Sequence, residues 1–542
     1  MIHLFVRQMN WIWGLTDGYR WRIMGSMGLD MLSSLFGLLF IYESRRAVDM
    51  ATHTLSGSLK LSLCLIAGSL LLGILVGQWA SWISEQIKIQ MIVRLQNSLV
   101  ATQMHTVWTH TKKWHTGDLL IRLHTDVIEV VQMVVVTFPS VCVTGGRMMA
   151  SWGLLWMMDS VLAWMILAIS PLLLFSKIYY HRMKRLNREV KEMESQLGIV
   201  LQENLKQRLL VRALRMWRMR YEKYESVQRL IEIRKKKLLH FSVCTQLTLK
   251  CTFNGGYLLA FMWGIFRLHA GIITFGTLTA FLQLVSRVQT PVLNIVSFVP
   301  AFIRCRTSLE RLMELYEEEC EADELPRRIS FLRRIEFCDV TFSYEDRKVI
   351  KGLNVEMCVG APTAVVGTTG KGKTTLIRLM LALVRPDSGE LLLRADSGAV
   401  SVSVATRVNF SYVPQGNTLF CGTLRENLIV VQPPPTDEQI REALEVACAE
   451  FVYTLPSGID TLVGEAGYGL SEGQAQRIAI ARALLCEGDI WLFDEATSSL
   501  DRDTSDRLIR NLMRVGREKI IIFVTHDSRL IEDCPQVIKL DK

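Results

Sequence analysis

The sequence predicts an all-α membrane domain of six spanning helices, followed by an α/β domain built on a phosphate-binding loop. Three observations carry this. Half of the 542 residues are hydrophobic and only 21% are charged, with a mean hydropathy of +0.23, which excludes a disordered chain and argues against an ordinary soluble enzyme. Twelve of the 13 Trp precede residue 300, whereas the glycine-rich phosphate pattern follows residue 360, so two halves with different solvents are implied. The net charge of +9 also has one location: residues 181–240 hold 17 Lys and Arg against seven Asp and Glu, the mark of a segment kept on the cytoplasmic side of a membrane. No recognition module accompanies that charge, so nucleic acid is not an expected partner.

A bilayer core of about 30 Å needs about 20 helical residues. Six stretches qualify, at about 21–43, 59–83, 131–157, 160–180, 241–268 and 272–300. Short connections (44–58, 158–159, 269–271) alternate with long polar ones (84–130, 181–240). The alternation and the basic surplus predict an integral, multi-pass protein of the plasma (inner) membrane, with both termini and the second domain in the cytoplasm. The N-terminus lacks a basic start and a small-residue cleavage site, so the first span is expected to do the targeting. Twelve Cys without a C-x-x-C pair fit free thiols in a reducing compartment.

Each long connection, read as a helix out and a helix back, reaches roughly 35 to 45 Å beyond the bilayer. The arm tips around 109–118 and 215–221 mix aromatics with charge, as contact surfaces do. Four ionisable residues, Asp30, Arg147, Lys250 and Arg287, fall inside spans and should face the bundle interior or pair with one another. Asp30 and Lys250 lie at similar depth, which allows either a structural pair or a contact with a substrate. Seven acids within residues 314–324, then Pro326, predict a solvated helical linker. The expected domains are therefore 1–304 in the membrane, a linker at 305–328, and 329–542 in the cytoplasm.

In the cytoplasmic half an apolar strand at 363–366 runs into Gly367-Thr368-Thr369-Gly370-Lys371-Gly372-Lys373-Thr374-Thr375 and then a helical stretch. Such a loop cradles a β-phosphate with backbone N–H groups, Lys373 reaching the β/γ oxygens and Thr374 offering a hydroxyl to Mg2+. Downstream, the apolar run 490–493 ends in Asp494-Glu495. A carboxylate at a strand's C-terminal end beside the phosphate loop suits an Mg2+ ligand, and Glu495 is then placed to polarise an attacking water.

These motifs, with those that follow, resemble a half-transporter of the ATP-binding cassette exporter family along essentially the whole chain: an all-α six-helix transmembrane domain followed by an α/β P-loop NTPase cassette domain. Leu470-Ser471-Glu472-Gly473-Gln474 resembles the family's signature, Gln415 its Q-loop, Ser499-Leu500-Asp501 its D-loop, His526 its switch histidine and Tyr344 the aromatic that stacks on adenine. Residues 461–467 resemble the loop that exporters place before the signature. Glu472 stands where Gly is commoner, and Lys371 where a small residue is usual.

The resemblance implies ATP and Mg2+ as cofactors. It implies that Glu495, His526, Lys373 and Gln415 are catalytic, that Thr374, Gln415 and Asp494 hold the metal, and that Tyr344, residues 367–375, Gln415, Ser471, Gly473 and Gln474 contact nucleotide. The signature would contact the ATP of a second chain, so a homodimer, or a heterodimer with another half-transporter, is implied. Export of a lipid, peptide or drug-like cargo from among membrane lipid follows. A membrane-anchored ATPase that regulates a partner without transport would keep the same motifs. The surplus of cations inside the spans predicts an amphipathic cargo with an anionic head.

Overall fold

The structure, a computed structural model, describes residues 2–540 except 112, 113, 115, 170–175, 346, 369, 432 and 465–468. Thr369, residues 465–467 of the pre-signature loop and part of the fourth predicted span thus lie outside the described residues. The chain divides into two compact units, residues 1–102 with 115–317, and residues 103–114 with 318–542.

The first unit is helical. Its elements are α1 (Ile2–Leu15), α2 (Arg20–Ala51), most of α3 (Leu59–His105), α5 (Thr116–Ile121), α6 (Val127–Gln132), α7 (Phe138–Met158), α8 (Ser160–Ile169), α9 (Ser176–Lys206), α10 (Arg208–Ala213), α11 (Trp217–His269) and α12 (Phe275–Tyr316); the short α4 (Trp108–Thr111) belongs with the second unit. Among the described residues three helical stretches are long and apolar enough to cross a membrane: Arg20–Ala51, Leu59–His105 and Gly117–Met158. Asn254 and Arg267 dilute the apolar run of α11, which is nonetheless 53 residues long. Two π-helical segments, Arg122–Asp126 and Met133–Thr137, join α5, α6 and α7. The first buries Arg122, which binds Asp118 at 2.8 Å and Glu314 at 3.0 Å.

Apolar side chains of α2, α7, α8, α11 and α12, among them Ile41, Leu155, Leu162, Phe281 and Leu284, form the core. Many others point outward, such as Trp21, Leu71 and Leu75, as suits a surface solvated by lipid. The acids at the helix ends are paired: Glu43 with Arg46 at 3.1 Å, and Asp159 with Arg267 at 3.2 Å. Asp49 accepts the Gly276 N–H at 3.0 Å.

The second unit holds an antiparallel sheet of β1 (Leu332–Tyr344), β2 (Arg347–Cys358), β4 (Ser388–Ala395) and β5 (Gly398–Ser401), in the order β2-β1-β4-β5. A parallel sheet runs β11-β3-β10-β9-β6, from β3 (Thr363–Val366), β6 (Phe410–Val413), β9 (Ile490–Asp494), β10 (Ile520–Val524) and β11 (Gln536–Lys539). All five residues of β9 and of β10 are buried, as central parallel strands covered on both faces require. The covering helices include α13 (Lys373–Met380), α14 (Leu424–Leu428), α15 (Asp437–Val446), α16 (Glu472–Leu485), α17 (Arg502–Val515) and α18 (Ser528–Asp533); β7 (Gly422–Thr423) and β8 (Leu462–Val463) pair beside them.

The linker differs from the expected solvated helix. Helix α12 stops at Tyr316, and the next residues pair with the first arm tip: Thr106 bridges Cys320, and the Glu321 N–H donates to the His105 carbonyl at 2.7 Å. The Glu321 carboxylate takes two bonds from Arg407, each 3.0 Å. Glu318 accepts from Trp114 Nε1 at 2.5 Å and from Gln103 at 3.2 Å. The acids are dispersed onto partners, which a count of charges along the chain cannot show.

Candidate nucleotide site

The C-terminal ends of β3, β9 and β10 lie side by side, the edge at which parallel sheets bind ligands. Strand β3 turns through residues 367–372 into α13. Gly370 and Gly372 take φ of +85° and +97°, a region that a side chain would make costly. Gly372 is the N-cap, so the first N–H groups of α13 face the loop. Lys373 folds back, its Nζ donating to the Gly367 carbonyl at 2.8 Å. Thr374 and Lys371 are exposed, while Thr375 is buried behind them.

Asp494 ends β9, buried. Burial first, then the charge of Glu495, pushes its carboxyl from 3.8 up to about 6, against the pull of Lys373 and of a hydrogen bond from Tyr412. Glu495 follows in the left-handed region, φ +50°, and its carboxylate sits between two partners. Gln415 Nε2 donates to Oε2 at 2.6 Å, and His526 Nδ1 lies 3.5 Å from Oε1. Three sequence-separated candidates, Gln415, Glu495 and His526, thus meet at one carboxylate.

The donor set fits the implied ligands. Helix N–H groups and an ammonium suit phosphate, and a hydroxyl beside a carboxylate supplies the hard oxygens that Mg2+ takes. Tyr344 is held by Phe342 edge-on at 4.8 Å, and its hydroxyl accepts from Arg378 at 2.7 Å. Ser471 and Gln474 cap α16 reciprocally, the Gln474 N–H donating to Ser471 Oγ at 3.2 Å and the Ser471 N–H to Gln474 Oε1 at 2.9 Å. Among the described residues no hydrogen bond joins Ser471, Gly473 or Gln474 to the phosphate loop of the same chain. Glu472 is exposed in the first turn, where its charge favours the helix dipole. Sequence reasoning missed Tyr412 and Arg378; Arg378 follows the phosphate loop in α13 and Tyr412 lies three residues before Gln415, yet nothing in their spacing marks them.

The weakened acidity of Asp494 gives a testable sign. The fold favours the protonated carboxyl, a contribution full below about pH 4 and lost as pH rises through about 6. Asp494→Asn is therefore expected to melt about 2–4 °C above the wild-type chain at pH 7 without nucleotide, the shift that roughly 1 kcal/mol gives. The gap should close at pH 4.5. Thermal melts of both proteins across that range check it; a gap that widens in acid would overturn the assignment.

Fold and site together define a phosphate-loop ATPase fused to a helical membrane domain. Residues 23–292 match the model of the ABC transporter transmembrane region and residues 350–498 that of the ABC transporter cassette. The chain belongs to the ATP-binding cassette transporter family: it is a half-transporter of the exporter type, a multi-pass membrane ATPase whose hydrolysis is coupled to transport. It is 27% identical to the probable multidrug resistance ABC transporter ATP-binding/permease protein YheH of Bacillus subtilis, over 82% of this chain and 68% of that one. The ATP-dependent lipid A-core flippase of Desulfotalea psychrophila is 28% identical over 69% of this chain and 66% of its own. The yeast mitochondrial iron-sulfur clusters transporter ATM1, from Saccharomyces cerevisiae, is 33% identical over 50% and 40%. The chain thus spans about two thirds of the length of the first two relatives and two fifths of the third. A bacterial Atm1-family ABC exporter with ATP bound shares the fold, with a TM-score of 0.81 at 21% identity over 96% of this chain and 94% of that one.

Proposed function

We propose that two copies of this chain, with domains at 1–304, 305–328 and 329–542, form an exporter in the plasma (inner) membrane. Its cargo is an amphipathic molecule with an anionic head. The relatives range from a multidrug transporter to a lipid A-core flippase and an iron-sulfur clusters transporter, so the cargo class is argued from this chain's own spans.

The observation that carries it is a polar face on α2. Arg147 of α7 donates through Nε to Ser34 Oγ at 3.0 Å, with Asp30 as its charged neighbour. Arg287 of α12 lies against Gly37, where a Cβ would come within 2.5 Å of its guanidinium. Residues 30, 34 and 37 share one helix face, so two cations and one acid converge there. Lys250, which its matched depth allowed as a partner of Asp30, is exposed and has no ion pair among the described residues. Equal depth fixes height in the bilayer but not which way a side chain faces. The surplus positive charge suits a phosphate or carboxylate.

In the cassette, Lys373 and the loop amides would bind the ATP phosphates, with Thr374, Asp494 and Gln415 holding Mg2+. Glu495 would orient and polarise water, and His526 would sense the γ-phosphate. Ser471 and Gly473 would complete the partner's site, since among the described residues no hydrogen bond joins them to the phosphate loop of their own chain. The exposed second arm tip, with Leu209, Leu214, Trp217 and Tyr221, suits contact with a partner.

Purified alone in nanodiscs, the chain is expected to hydrolyse Mg-ATP as a particle carrying twice 61.8 kDa of protein. Anionic amphiphiles should stimulate that rate and move across reconstituted vesicles. An inert monomer would overturn the homodimer; hydrolysis without movement of any amphiphile would favour a regulatory ATPase.

A further inference from the structure

We propose that Gln476 is a positioning residue for Glu495, and that α16 thereby ties the catalytic glutamate of one nucleotide site to the signature contact of the other. The proposal rests on the reading of Glu495 as the group that polarises water.

Glu495 holds a backbone conformation, φ +50°, that non-glycine residues adopt only where surroundings enforce it. Its N–H is fixed to the Val524 carbonyl at 2.9 Å. Its carbonyl accepts the N–H and Oγ of Ser498, at 3.2 and 2.9 Å, from within the same turn. The remaining donor among the described residues comes from another element: Gln476 Nε2 of α16, at 3.0 Å. Gln476 is 1% exposed, so its amide has no water to bond instead, and its geometry is set by packing. A polar side chain buried at that expense between Ala475 and Arg477 calls for a reason, and the strained turn supplies one.

Helix α16 meets the same loop again one turn earlier. A Cβ on Gly473 would lie 2.7 Å from the Ser499 carbonyl, so helix and loop are in direct contact there. Arg477 anchors the helix further, Nη1 donating to the Cys448 carbonyl at 2.6 Å and the guanidinium lying over the Phe451 ring at 4.7 Å. Gln415 and His526 aim the tip of the carboxylate; Gln476 sets the backbone from which that side chain starts. The N-terminus of α16, Ser471, is the end that would face the second chain's ATP. A displacement of that end therefore reaches the first chain's Glu495 through one rigid helix.

Gln476→Leu keeps the volume and removes the donor. It is expected to lower kcat about 10- to 100-fold, to leave the KM for ATP and the melting temperature within error, and to bring the ATP Hill coefficient toward one. Gln476→Glu is expected to be slower still at pH 7.5 and to recover as pH falls toward 5.5, where a protonated carboxyl donates again; wild type should show no such recovery. On a Glu495→Gln background, Gln476→Leu should cost nothing further. Unchanged kcat, or equal losses in kcat, KM and melting temperature, would overturn the proposal, as would full additivity in the double variant. If Glu495→Gln itself turns over at the wild-type rate, the reading of Glu495 fails instead. A leucine variant that does not purify folded leaves the pH profile of Gln476→Glu to decide.

Discussion

Replacing Glu495 by Gln is expected to cut ATP turnover by about two to three orders of magnitude, some 3–4 kcal/mol of barrier, while ATP binding persists. The reason lies in what the substitution keeps. The side chain stays the same size at the end of β9, and its amide oxygen can still accept from Gln415 Nε2, now 2.6 Å from the carboxylate. Asp494, Lys373 and Thr374 are untouched, so the groups that would hold phosphate and metal remain. What is lost is the negative charge that draws a proton from water. His526 cannot replace it: at 70% side-chain exposure and 3.5 Å from Glu495, it touches the carboxylate loosely. His526→Ala should therefore cost less than Glu495→Gln. Single-turnover hydrolysis, with binding of a fluorescent nucleotide measured in parallel, checks both. A variant that hydrolyses at the wild-type rate would remove Glu495 from the role; one that neither binds nor hydrolyses would mean that its shape, not its charge, was needed.

The sequence made the parallel sheet legible because β3, β9 and β10 are buried on both faces and so read as unbroken apolar runs. Each runs at its C-terminal end into chemically marked residues, the phosphate loop after β3, Asp494-Glu495 at β9 and His526 two residues past β10, and shared strand direction brings those ends together. Three of the six expected spans match helical stretches long and apolar enough to cross a membrane among the described residues, while polar residues in α11 blur the pattern there. Azimuth and long-range pairing were not readable. Asp30 and Lys250 share a depth, yet Arg147 is the one that reaches the α2 face. The bridge between Thr106 and Cys320 joins residues 214 apart in the chain, with no local pattern at either end. Arg378 and Gln476 each make a long-range hydrogen bond, and neither residue type announces that in a helix.

Changing Arg147 and Arg287 together to Gln is expected to raise the half-saturating concentration of an anionic cargo by about 100-fold, the equivalent of one or two charge-assisted hydrogen bonds. Both guanidinium groups lie on one face of α2, Arg147 at Ser34 and Arg287 at Gly37, and one acid, Asp30, stands on that face beside Arg147. In a membrane interior each uncompensated charge costs on the order of a few kcal/mol. An anionic head relieves that cost, so binding draws on energy already stored in the unliganded bundle; an uncharged cargo gains nothing from it. Cargo-stimulated ATPase, with hydrolysis in the absence of cargo as the internal reference, measures the effect. Unchanged stimulation, or a cationic drug as the best stimulant, would sink the idea. Asp30 supplies a test of opposite sign. Asp30→Asn removes the one negative charge that the described residues place in the cluster, so it should tighten an anionic cargo and weaken a cationic one. If instead it weakens both alike, the three residues serve to hold α2, α7 and α12 together, and the cargo's charge is read elsewhere.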